Sequence, residues 1–213
     1  MKETMTIHKA LSELKVLDAR INVAINHRFV IANKHTNAKI GGMPIADFMN
    51  DVREAYQSAR TLINRRNAIK RAVTQSNAVT LVDINGEKFT VAEAIDMKSK
   101  GVEYLQSLHE ELSSQLAEAK RTADMENDRI PNKADEYMRA MYSGADLKNM
   151  ADEIAKVRDA YIEAQTVEVV DPLNAGEICT KLSEYIDSFM SEVDSALSVS
   201  NALTTIVVEY ETK

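Results

Sequence analysis

The sequence predicts a mainly α protein: an antiparallel bundle of about four long amphipathic helices with a small β-hairpin or sheet, in one domain over 1–213. Three observations carry this. Only 6 Gly and 3 Pro are spread over 213 residues, so few positions break a helix. Apolar residues recur every three or four positions through most of the chain. One Asn-Gly pair, Asn85-Gly86, lies between short β-branched and aromatic runs and marks a hairpin.

The first helix is read over residues 6 to about 33, with a stripe of Ile7, Leu11, Leu14, Leu17, Ile21 and Ile25 and Thr6 as N-cap. Gly41-Gly42 and Pro44 mark a loop. A second helix starts near Pro44 or Asp47 and runs to about Ser76, on Phe48, Val52, Ala55, Tyr56, Ala59, Leu62, Ile63, Ile69 and Val73. Residues 78–89 change to the hairpin pattern, and Thr90 with Glu93 has the spacing of a capping box opening a third helix. That helix runs from 91 to about 127, and Pro131 is expected to stop it. Residues 133–142 and 146–165 read as two further helices split at Ser143-Gly144. Thr166–Val170 reads as a short strand ended by Asp171-Pro172. A last helix covers about 174–200, and Thr204–Tyr210 reads as a strand that pairs with 166–170 or with the 79–89 hairpin. Narrow stripes on helices this long call for partners, so self-association is expected.

Composition removes several function classes. Lys+Arg number 26 and Asp+Glu 33, a net charge of -7, which disfavours binding to a nucleic-acid polymer. The single Cys179 permits no intramolecular disulfide and no cysteine-based metal knuckle, and it is expected as a buried structural thiol on the last helix. No HExxH, GxGxxG, GxxxxGK[ST] or GxSxG motif occurs, so no metal, cofactor or enzymatic activity is expected. No apolar run reaches 18 residues, and the first residues lack the apolar segment of a signal peptide; a cytoplasmic, membrane-free protein is expected.

Charge is uneven. Residues 53–71 hold Arg53, Arg60, Arg65, Arg66, Lys70 and Arg71 against one acid, Glu54. Residues 171–213 hold eight acids and two lysines. The two stretches could pair across a helix interface. They could also leave an anion site, because a guanidinium offers a planar fork to phosphate. Asn64, Arg65, Arg66, Asn67 and Lys70 are then the candidate binding residues. Asn201 and Thr204, past the last helix, are read either as a helix stop or as further pocket lining. His27-Arg28 and Lys34-His35 read as a basic helix end.

Three stretches carry a family resemblance: Ile63-Asn64-Arg65-Arg66-Asn67, then Gly86-Glu87-Lys88-Phe89-Thr90 with Glu93-Ala94-Ile95, then Leu197-Ser198-Val199-Ser200-Asn201. Together they resemble the septicolysin-like family of small helical bacterial and phage proteins. Members show Ile-Asn-x-Thr-Asn, Gly-x-Leu-Thr before Glu/Asp-Ala-Ile/Leu, and Asn-Trp-x-Thr near the end. Asn64, Asn67, Gly86, Thr90, Glu93, Ala94, Asn201 and Thr204 match. Arg66 replaces the Thr, Ala202 replaces the Trp, and Lys98 stands where Arg is usual. Residues 120–165 read as a helical insertion. The resemblance implies helices around a hairpin and oligomerisation, without defining an activity. With the Arg/Asn cluster and the family's presence in phages, it suggests a non-enzymatic, sponge-like anti-defence protein. Such a protein would sequester a cyclic or ADP-ribose-type nucleotide in the host cytoplasm. The alternative is a virion component or scaffold without a small-molecule ligand.

Overall fold

The computed structural model describes residues 1–143 and 150–210. Helices dominate these residues, and the strands among them form two-stranded antiparallel sheets. The chain divides into two compact units, Met1–Lys100 with the segment from Ser188 onward, and Gly101–Asp187.

In the first unit, β1 (Lys2–Thr6) leads into α1 (Ile7–Ile25). Thr6 is the N-cap, and its Oγ1 accepts from Lys9 N at 3.2 Å. α1 ends at Ile25, the last member of its apolar stripe, well short of residue 33. A minimal hairpin, β2 (Lys39–Ile40) and β3 (Met43–Pro44), turns through Gly41 and Gly42, whose φ values of 56° and 89° suit residues without a Cβ. α2 (Ile45–Asn77) then packs along α1. Ile69 and Val73 of α2 are buried with Ile7, Ala10, Leu14 and Leu17 of α1. β6 (Thr205–Glu209) completes this core with Ile206 and Val208, pairing antiparallel with β1 so that Thr4 faces Val207. The C-terminal strand therefore pairs with residues 2–6, not with 166–170 or the 79–89 hairpin. Alternation explains the choice: Met5 and Ile7 on one segment and Ile206 and Val208 on the other close over one side of the helix pair.

The second hairpin forms as its sequence predicts. β4 (Leu81–Ile84) and β5 (Glu87–Thr90) are joined by Asn85 and Gly86 at φ 56° and 75°. Thr90 and Glu93 form both hydrogen bonds of the capping box and start α3 (Val91–Asp96), followed by a π turn at Met97–Gly101. The C-terminal part of α6 (Ala175–Leu203) lies against this hairpin. Glu192 accepts from Asn85 N at 2.7 Å, and Ser188 Oγ donates to Asn85 Oδ1 at 2.8 Å.

In the second unit, α4 (Val102–Met141) continues through Pro131 instead of stopping there. Pro131 has no N–H to give to the carbonyl of Asn127. Burial on both sides holds the helix together: Ala123, Ile130, Ala134 and Met138 form one continuous buried stripe across the proline. The separate helix over 133–142 is thus the end of α4, and 120–141 continues it. α5 (Ala151–Gln165) packs on α4, with Tyr137 and Tyr161 stacked at 4.9 Å and Arg158 Nε donating to Asp135 at 2.8 Å. The expected helix start at 146 lies outside the described residues. Residues 166–170 form no strand and pair with none among the described residues. The side-chain amide of Asn127 takes that role, donating to Val167 O at 2.9 Å and accepting from Val167 N at 2.8 Å. Replacing Pro131 by Ala restores a backbone donor in mid-helix, and we expect a gain of about 1 kcal/mol or more, read as a higher urea midpoint.

Candidate functional site

α2 carries most of the basic residues singled out by the sequence, and the fold treats neighbouring ones differently. Arg65 points into the α1–β1–β6 side of α2 and is 21% exposed. Its Nη2 donates to Glu3 Oε2 at 2.8 Å, its Nε to the Glu13 carboxylate, and its Nη1 to the Tyr210 hydroxyl. The guanidinium carbon lies 5.0 Å from the Tyr210 ring centroid. Glu3 also takes Lys9 Nζ at 3.4 Å, and Lys2 pairs with Glu209 at 2.8 Å. Both Met1–Tyr210 backbone bonds close beside this cluster, at 2.7 and 3.1 Å.

One guanidinium therefore ties α2 to α1, to β1 and to the residue after β6. The pairing with Glu13, followed by those with Glu3 and Tyr210, raises the Arg65 pKa against the opposing cost of burial. The same bond, with Lys9 second, holds Glu3 below the usual carboxylate range. An incoming phosphate would have to displace two carboxylates, leaving Glu13 without its cation at a partly buried position and Glu3 with Lys9 alone.

Arg66 lies on the rim. Its Nε donates to Asp18 at 3.1 Å, with 37% and 55% of the two side chains exposed. Asn67 and Lys70 are exposed, and Asn64 is half-buried. Asn201 sits in the last turn of α6 and Thr204 just beyond it, both half-buried. Thr204 O accepts from Ile7 N at 2.9 Å, which fixes it at the α1 end of the β1–β6 sheet. Tyr210, bound to Arg65, lies at the other end. Five residues lie between them, and the six residue steps extend about 20 Å along the strand. Thr204 and Tyr210, the partner of Arg65, thus lie at opposite ends of β6.

The acidic partners also differ from the sequence expectation. Arg65 and Arg66 pair with Glu3, Glu13 and Asp18, not with the C-terminal helix. Asp194 of α6 instead takes Lys98, and Glu192 takes the Asn85 amide. His27 lies 3.1 Å from Asp51 and packs edge-on to Phe29, so this helix end is not merely solvated. Cys179 is half-buried against α4, where Ser113 Oγ donates to its sulfur at 3.3 Å. Among the described residues, no three His, Cys, Asp or Glu side chains gather as metal ligands would, and no helix is long and apolar enough to cross a membrane.

The paired carboxylates dictate an acid response. Glu3, Glu93 and Glu209 all have folded-state pKa values below the usual carboxylate range, from bonds to Arg65, to the Thr90 backbone and to Lys2 respectively. A depressed folded pKa contributes stability that is present above the unfolded value and lost as pH falls through the folded one. The first unit should therefore lose stability as pH drops below the ordinary carboxylate range, as thermal unfolding at stepped pH would show. Tyr210, Glu3 and Glu13 were missed as Arg65's partners, because the β1–β6 pairing and the packing of α1 on α2 bring them together from distant parts of the chain. No protein-family model, curated protein or solved structure matches this chain.

Proposed function

We propose that this chain is a non-enzymatic, self-associating helical protein with an architectural role, in the cytoplasm of the cell that makes it. The observation that carries this is Arg65. The best-formed charge cluster seen on the sequence's anion-site candidates is spent on joining α1, α2, β1 and the segment after β6. Side chains left outward on α1 support self-association: Val16 is 55%, Val23 76% and Ile25 50% exposed.

A second reading is favoured by the outer face of α2. Arg66, Asn67 and Lys70 sit within one helical turn, at a spacing that places them side by side, and all three reach solvent. On this reading the oligomer holds a small anion of the cyclic or ADP-ribose type, as the septicolysin-like resemblance suggests. A second copy would supply the walls that a single convex helix face lacks. Phage anti-defence sequestration belongs to this reading.

Native mass spectrometry with a panel of such nucleotides separates the two. The architectural reading predicts an oligomer whose mass is unchanged by the panel. The sequestering reading predicts one nucleotide mass per site, lost in Arg66→Ala with the subunit number kept. A monomer at micromolar concentration would contradict both.

A further inference from the structure

The β1–β6 sheet has two strands, so among the described residues neither outer edge pairs with a further strand, and the hydrogen-bond register shows which residues line these edges. Met1 and Tyr210 exchange both backbone bonds, and Ile7 N donates to Thr204 O. In an antiparallel ladder such pairs alternate with pairs that make no bond. Glu3·Val208 and Met5·Ile206 are therefore the bonded pairs, while Lys2·Glu209, Thr4·Val207 and Thr6·Thr205 are not. The N–H and C=O groups of Thr205, Val207 and Glu209 thus point away from β1, along the outer edge of β6.

We infer that this edge of β6 is a docking strand for β6 of a second copy, paired antiparallel about a two-fold axis through Val207. This names the surface for the self-association proposed above, and it rests on that reading. The outward residues are symmetric about Val207, so Val207 bonds Val207 of the partner subunit, and Thr205 and Glu209 bond in reciprocal pairs. Each outward N–H meets an outward C=O. Ile206 falls opposite Val208 of the partner subunit on the buried face, which extends the apolar layer beneath the sheet. On the outer face Glu209 meets a threonine, so no like charges are opposed.

The edge carries none of the usual blocks in its centre. No proline, lysine or bulge interrupts it, and Val207 is 49% exposed. The opposite edge is a poorer candidate, because Thr6 ends it as the α1 N-cap and its carbonyl enters the helix ladder. The product is a four-stranded sheet, β1–β6–β6–β1, with the isologous symmetry of a dimer.

The test is disulfide trapping in a Cys179→Ala background. Bonded antiparallel pairs place Cα atoms about 5.5 Å apart, within the range a disulfide spans. Val207→Cys should run at twice the chain mass under mild oxidation, whereas Thr205→Cys alone should not, since its partner is Glu209. In parallel, Val207→Lys sets two ammonium groups opposite each other and should halve the native mass of the wild-type assembly. Val207→Pro removes only an outward N–H and should do the same while circular dichroism stays helical. An oligomeric wild type with no Val207→Cys cross-link and an unchanged Val207→Lys mass overturns the β6 interface and leaves self-association standing. A monomeric wild type overturns both.

Discussion

Phe189→Ala should lower the stability of the first unit by about 3–5 kcal/mol. Phe189 is fully buried and is among the largest fully buried side chains of the described residues. Its ring meets Phe89 edge-on, 5.7 Å between centroids at 78°. One turn further along α6, Val193 is also fully buried, as is Ile84 on β4. Removing the ring opens a cavity between a rigid hairpin and a helix, neither of which can move in to fill it without breaking the Asn85 bonds to Ser188 and Glu192. Phe189→Leu keeps most of the volume and should cost less than half as much. Urea unfolding followed by circular dichroism measures both. A loss below about 1 kcal/mol for the alanine variant would mean that the hairpin is not anchored on α6.

Arg65→Met should cost about 2–3 kcal/mol, because it leaves partly buried Glu13 without its cation and Glu3 with only the longer pair to Lys9. The aliphatic chain is kept, so the loss reports charge and hydrogen bonding, not packing. Arg65→Lys should recover only part of it, since an ammonium cannot reach two carboxylates and the Tyr210 hydroxyl with a planar fork. Arg66→Ala, next in sequence but paired only at the surface, should change stability by less than about 0.5 kcal/mol. The contrast between the neighbours matters more than either value. A neutral Arg65→Met would show that this residue does not hold the fold, and would return it to the list of ligand-binding candidates.

What the sequence made legible was local. Asn85-Gly86 and the Thr90/Glu93 box specify their turn and cap from residues within a few positions, and both form as read. The stripe from Ile7 to Ile25 and the run to Asn77 mark α1 and α2 because helical periodicity is also local. What was illegible depended on partners distant in the chain. Nothing in Lys2–Thr6 announces a strand until Ile206 and Val208 are seen to need an edge. Residues 166–170 are rich in β-branched side chains, yet a single amide, Asn127, takes both backbone groups of Val167 where a strand was expected. Pro131 has the local signature of a helix stop, and tertiary burial of Ile130 and Ala134 overrides it. The placement of the candidate residues was illegible for the same reason. Arg65 and Thr204 each lie against the β1–β6 sheet, but at opposite ends of it.

The measurement that tests the central claim most directly is native mass spectrometry of the full chain, with and without cyclic and ADP-ribose-type nucleotides. The account predicts a defined oligomer at micromolar concentration whose subunit number and mass stay the same when the nucleotides are added. A monomer would contradict self-association, and an oligomer that gains one nucleotide per site would contradict the architectural role, with loss of that gain in Arg66→Ala assigning it to the α2 face.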